Sequence, residues 1–220
     1  SHLFIDLNLL GLTHDKLAFH SDTHTEAALL TICDESGDSL SLFTHYTYKS
    51  LVLYLYELYQ EAYECAEKAI PYKNGVTGLI CGADHIFYHS LCLAALCEND
   101  SDDTQNKTLE QLTANQNQMK IWADNCPDNF WHKYLLVEAE LARIQGNDLK
   151  SMNLYDQAIE SAKAKGFIQN EAIANEQAAK FWRQKGKTDF ARLYMVNAHY
   201  AYQRWGALAK VKDLEQRYPQ

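Results

Sequence analysis

The chain is poor in the residues that interrupt a backbone. Its 220 residues hold three prolines and nine glycines. So few punctuators over such a length disfavour a fold of many short strands and favour long helices. Clustered basic charge is also missing. Lysine and arginine total 20 against 29 aspartates and glutamates, for a net charge of −9. Binding to nucleic acid or an anionic membrane surface needs grouped cations that displace counterions, and no basic stripe occurs, so neither partner is expected. No apolar run approaches the ~18–20 residues of a membrane span. The six cysteines, Cys33, Cys65, Cys81, Cys92, Cys97 and Cys126, include no Cys-x-x-Cys pair. They read as reduced and mostly buried thiols of a cytoplasmic protein. The chain opens mid-pattern and ends on Tyr218-Pro219-Gln220, so a piece of something longer is expected.

What is present is apolar periodicity near 3.6 residues. It predicts about nine or ten helices and an all-α fold. The expected helices cover 3–10, 23–33 with Asp22 or Thr23 as N-cap, 39–56 capped by Ser39 or Ser41, and 59–70 up to Pro71. A loop over 73–78 and an acidic linker over 98–103 flank a helix at 84–97. Helices over 104–125, 129–145, 148–165, 168–185, 188–205 and 207–217 follow. Several breaks fall on glycine: Gly146, Gly166, Gly186 and Gly206. Helices joined by such short connections pack as antiparallel hairpins, and hairpins that cannot bury their apolar faces alone must stack.

The hairpins repeat. Ala139-x6-Gly146-x4-Ser151-x3-Tyr155-x2-Ala158 recurs as Ala179-x6-Gly186-x4-Ala191-x3-Met195-x2-Ala198, an offset of 40 residues. A degenerate copy reads Ser50, Ala62, Ala66 and Ala69, with Glu57 in the glycine slot. Small residues let two backbones approach, the glycine accepts a left-handed helix end, and the large residue fills the space between hairpins. This pattern resembles the tetratricopeptide repeat. Its offset is longer than that family's period of about 34 residues. Leu135 and Asn175 stand at the family's signature tryptophan, and Lys163 at its closing proline. The resemblance implies a tetratricopeptide-like stack of helical hairpins, an α-α superhelix. One domain is expected over 1–220, with an N-terminal cap region at 1–38, the stack at 39–205 and a capping helix at 206–220.

A second resemblance covers more of the chain. The stretches 83–91, 133–140, 155–159, 175–181 and 202–211 are similar to the helical region of large bacterial multi-domain signalling kinases. Those proteins combine a Ser/Thr-kinase-like domain, a predicted signal-transduction ATPase, this helical region, a GAF sensor and often a histidine kinase. The resemblance implies a non-catalytic interaction and coupling module between the ATPase and GAF regions. It implies protein or peptide partners, either neighbouring domains of the same polypeptide or a signalling partner. A ligand- or peptide-binding sensor that uses the concave face is the alternative. Oligomeric state stays open, a homodimer included. No Gly-rich phosphate loop, nucleophile–base pair or catalytic-loop motif occurs, so no catalytic residue and no cofactor is expected.

Tetratricopeptide stacks line a concave groove with the first helix of each hairpin. Carried over by position, the groove residues would be Lys133, Leu136, Glu140 and Arg143, then Glu176, Lys180 and Arg183, with Tyr54 from the degenerate copy. Mixed charge on such a face suits peptide or domain recognition, although the same positions also read as solvated helix surface with pairs such as Glu176–Lys180. Two histidine pairs have spacings that a metal could use. His85 and His89 share a helix face, but a second ligand pair is lacking, so packing is expected. His20-Ser21-Asp22-Thr23-His24 reads as a polar turn with an N-cap.

Overall fold

The computed structural model describes residues 8–12, 17, 25–97 and 102–218. The expected helix start at Asp22 or Thr23, the His20–His24 turn, most of the 98–103 linker and Pro219 lie outside the described residues. Among the described residues there is no strand, and the all-α expectation holds. Besides a helical stretch at 8–10, ten α-helices are delimited among the described residues: α1 (Glu26–Glu35), α2 (Ser39–Leu55), α3 (Tyr59–Ala69), α4 (Ile80–Leu96), α5 (Asp102–Asn125), α6 (Pro127–Ile144), α7 (Asp148–Ala164), α8 (Ile168–Gln184), α9 (Thr188–Trp205) and α10 (Leu208–Arg217).

Several boundaries have local causes. Thr25 caps α1, its hydroxyl accepting from Ala28 N–H at 3.2 Å. Asp38, rather than Ser39 or Ser41, caps α2 by accepting from Ser41 N–H at 3.0 Å. Asn147 caps α7 in the same way, from Lys150 N–H at 3.2 Å. An N-cap oxygen takes up one of the four N–H groups that the first turn leaves unpaired. The loop expected over 73–78 begins inside a helical segment, and Pro71 does not end the helical path. It enters a 3-10 helix over Ile70–Val76, near whose start the missing N–H is tolerated. Pro127 is likewise the first residue of α6, two positions earlier than the sequence suggests.

The expected breaks share one turn. Gly146, Gly166 and Gly186 have φ of 71°, 78° and 68°. After each, the next N–H reaches back five residues: Asn147 to Ala142 O at 2.9 Å, Phe167 to Ala162 O at 2.9 Å, Lys187 to Trp182 O at 2.9 Å. This geometry needs a left-handed residue, which glycine supplies without steric cost. The degenerate copy makes the same turn without glycine. Glu57 has φ of 63°, and Leu58 N–H reaches Leu53 O at 3.0 Å. A side chain in that region is strained by roughly 1–2 kcal/mol. Glu57→Gly is therefore expected to be more stable than Glu57→Ala by about 1 kcal/mol in urea denaturation, since both lose the carboxylate and only one keeps the strain.

Where the sequence expects one domain, the chain groups into two compact units, residues 1–92 with 207–220 and residues 93–206. In the first, α2 packs on α1, α3 and the 3-10 helix. Phe43, Ala69, Val76 and Cys81 form a buried cluster with Tyr46 and Tyr72 against it. A Cβ at Gly75 would lie 2.8 Å from the Ser39 Cβ, so this approach requires glycine. The final helix α10 belongs to this unit through its cations. The fully buried Lys210 donates its ammonium to Leu55 O, and Arg217 donates to Tyr56 O at 2.8 Å. Both cations meet carbonyls at the C-terminal end of α2, which the helix dipole makes negative. Glu57 completes the dock, pairing with Arg217 at 2.9 Å and accepting from the Tyr218 hydroxyl at 3.1 Å.

In the second unit, α5 packs on α6, α6 on α7, α7 on α8 and α8 on α9, while α6 also touches α8. The small residues of the repeat sit where the sequence places them. Ala139, Ala158, Ala179 and Ala198 are all buried to 1% exposure or less. Tyr155 fills the large slot at 1%. Its counterpart Met195 is half-buried.

Candidate functional site: a buried ionic seam

The residues expected to line an open groove are found mostly in the interior. Lys133, Leu136, Glu140, Glu176 and Tyr54 are buried, at 3, 1, 3, 2 and 3% exposure. The side chains of Arg143 and Lys180 are only 10 and 14% exposed. Arg183 alone is exposed. Tyr54 lies in the first unit, its ring 5.4 Å from that of Tyr59. The other seven are in the second unit. The departure has a physical reason: for Glu140, Arg143, Glu176 and Lys180, a counter-charge one turn along the same helix, with hydroxyls or a carbonyl from other helices, means that burial does not leave the charges bare.

Glu140 is the centre. One turn along α6, Arg143 places Nη2 at 2.7 Å and Nε at 2.9 Å from Glu140 Oε2, a forked contact. From α7, the buried Tyr155 hydroxyl donates to Glu140 Oε1. Arg143 also donates to Ala94 O at 3.2 Å. Glu176 on α8 repeats the arrangement 36 residues later. Lys180 Nζ lies 2.9 Å from its Oε1, and Tyr202 of α9 donates to Oε2 at 2.7 Å. The Lys180 ammonium also acts on Glu140, which links the two centres. Towards the start of the unit, Gln116 of α5 donates to Tyr134 O at 2.9 Å and to Glu138 Oε1 at 3.1 Å. Polar contacts thus join α5 to α6, α6 to α7 and α8 to α9, and the charge of Lys180 on Glu140 relates the last pair to the others.

Burial pushes the Glu140 carboxyl up to about 7, against the Tyr155 hydrogen bond and the Lys180 charge. In the first unit Glu26 is held the other way. Burial would raise it, but hydrogen bonds from His45 at 3.0 Å and Lys49 at 2.9 Å, with their charges, bring it down to about 2. These shifts have opposite consequences. A carboxyl raised on folding loses its contribution to stability as pH climbs from about 4.5 through 7. One lowered on folding loses it as pH falls from about 4.5 towards 2. Stability is expected to decline on both sides, on the order of 3 kcal/mol for Glu140 if its full shift is felt. Denaturation across the pH range should show Glu140→Gln flattening the neutral limb and Glu26→Gln the acid limb.

The histidines pack. His85 and His89 stack at 5.6 Å. His85 lies 5.1 Å from the Phe43 ring and His89 Nε2 is 3.0 Å from Glu67. Burial, with the neighbouring His89, pushes His85 down to about 3. His132 is also lowered to about 3, by burial and the Lys133 charge, and meets Asn170 at 2.7 Å. Among the described residues no group of three or more His, Cys, Asp or Glu side chains could hold a metal ion. No described helix is long and apolar enough to cross a membrane. All six cysteines are free thiols, and burial raises Cys92 to about 12.

The sequence reading missed Tyr155 and Tyr202 as partners of charge, having used Tyr155 as bulk and not weighed Tyr202. It also missed Gln116 and Lys210. A usable signal was present in the seam: two acid–base pairs, Glu140–Arg143 and Glu176–Lys180, occur on the first helices of successive hairpins, each followed by a tyrosine on the second.

No known family's sequence profile matches the chain. Over 53 residues it is 38% identical to the hybrid signal transduction histidine kinase G of Dictyostelium discoideum. That stretch is 24% of this chain and 2% of the relative, so the chain corresponds to a small part of that protein's length. The match and the all-helical fold fit the helical region of a signalling kinase.

Proposed function

We propose that the chain is a non-catalytic, tetratricopeptide-like coupling module of a multi-domain signal-transduction kinase, working in the cytoplasm and holding neighbouring domains of the same polypeptide in register. The observation that supports this most is the seam inside 93–206. Glu140, Arg143, Lys180 and Glu176 are withdrawn from solvent and spent on tying successive helices together. A displacement applied at α5, α7 or α9 meets a hydrogen bond to a carboxylate on the helix packed against it, and for α7 and α9 that carboxylate is held in a buried ion pair. Such pairs have discrete arrangements and resist gradual deformation, as a coupling element requires. The match to part of a histidine kinase supplies the signalling context.

The test uses the whole kinase polypeptide. Glu176→Gln with Lys180→Met keeps volume and removes both charges of one pair. Autophosphorylation is expected to keep its basal rate and lose most of its response to the input signal. An unchanged response, with the variant shown to be folded, would defeat the reading.

A further inference from the structure

The outer face of α9 is apolar where its counterpart one repeat earlier is polar. Phe190, Leu193, Val196 and Tyr200 are 51, 56, 40 and 60% exposed. Forty residues earlier, at the offset of Gly146 from Gly186, α7 presents Lys150, Asn153, Asp156 and Glu160, all exposed. The hairpin therefore does not itself demand apolar side chains at these positions, and a helix left in water would carry the polar set. Exposed large apolar side chains in a continuous row mark a surface that meets a partner.

Three members of the row, with the exposed Asn197 beside Val196 and the exposed Arg204 beyond Tyr200, have the spacing of a helix–helix seam. Phe190, Leu193, Asn197, Tyr200 and Arg204 are separated by three, four, three and four residues, the heptad alternation that keeps one face against a second helix. The seam is also complementary to itself when reversed. About a midpoint between Val196 and Asn197, Leu193 falls opposite Tyr200 of a second helix. Asp189, in the first turn, falls opposite Arg204, in the last. Reversal sets the two helix dipoles antiparallel and brings both Asp–Arg pairs together. Arg204 already lies over the Tyr200 ring at 5.6 Å, at the edge of the seam.

We propose that this face binds a second copy of the chain, α9 against α9 in antiparallel register, to form a twofold dimer. Two such faces cover on the order of 1,000 Å², the lower edge of a specific interface, so association is reversible. Self-complementary charge about the midpoint selects a second copy over an unrelated partner, which would have no reason to match both ends alike. The inference stands apart from the coupling reading and survives its failure.

The experiment is sedimentation equilibrium of the 220-residue chain from low micromolar to submillimolar concentration. A monomer–dimer equilibrium is expected. Leu193→Glu with Tyr200→Glu should weaken association at least tenfold with unchanged helical circular dichroism, because both side chains are exposed. Asn153→Glu, on the polar face of α7, should leave it unchanged. Asp189→Arg and Arg204→Asp should each weaken the dimer, and the two combined should restore it. A monomer throughout, or a dimer indifferent to the α9 substitutions, overturns the proposal. Failure of the charge exchange to restore association overturns the antiparallel register.

Discussion

Arg143→Met is expected to destabilise the 93–206 unit by about 3–5 kcal/mol, because it leaves the Glu140 carboxylate buried without its forked counter-charge. The loss should depend on pH. Burial raises Glu140 to about 7, so at pH 5 the carboxyl takes a proton and the missing guanidinium costs less. At pH 8 it is charged and the cost is full. Adding Glu140→Gln to Arg143→Met should recover more than half of the lost stability, since a neutral amide can keep the Tyr155 hydroxyl as a partner. Urea denaturation of the wild type, the single variants and the double variant at both pH values measures all of this. A penalty that is equal at the two pH values, or no recovery in the double variant, would mean that the pair is solvated.

Lys210→Met is expected to cost about 2–3 kcal/mol and to loosen α10. Methionine fills a similar volume, so the effect isolates the ammonium, which donates to the Leu55 carbonyl at the end of α2. Removing a buried charged donor leaves its acceptor without that bond, at about 1–3 kcal/mol and more where charge is involved. Arg217 and Glu57 would still hold the far end of the helix, so α10 should fray rather than leave. Hydrogen exchange is expected to quicken over 208–217 and stay slow over 148–205. Uniform acceleration would indicate a general loss of stability, and no acceleration would show that the ammonium does not hold this helix.

The helices were legible because their signals are local. A 3.6-residue apolar period and a glycine at each break require only neighbours in sequence to be read. Thr188–Trp205 emerges with the bounds its pattern suggests. Even the degenerate turn at Glu57 can be found by register, since the repeat puts a left-handed position there whatever residue fills it. The different cap of α2 and the misplaced starts of α4 and α6 came from nearby competitors: Asp38 outcompeted Ser39 and Ser41 as a cap, Ile80 extended α4 backwards, and Pro127 opened α6 rather than closing α5.

The seam was less legible because burial of charge is decided at a distance. Glu140 on a helix face with Arg143 three residues on reads as a solvated pair. What moves it inside is Tyr155, 15 residues away, and Ala94, 49 residues before Arg143. Lys210 was hidden further still, since its acceptor lies 155 residues earlier. A periodic pattern tells which face a residue occupies. It does not tell which helix will cover that face, and a polar residue gives no apolar signal that the face is covered.

The proposed coupling role is tested most directly by titrating the 220-residue chain calorimetrically with the separately expressed neighbouring domains of its polypeptide, which the proposal expects to be an ATPase and a GAF sensor. The account predicts saturable binding to at least one of them, with a change in its nucleotide turnover or ligand affinity. No heat of binding to either, and no change in either activity, would contradict it.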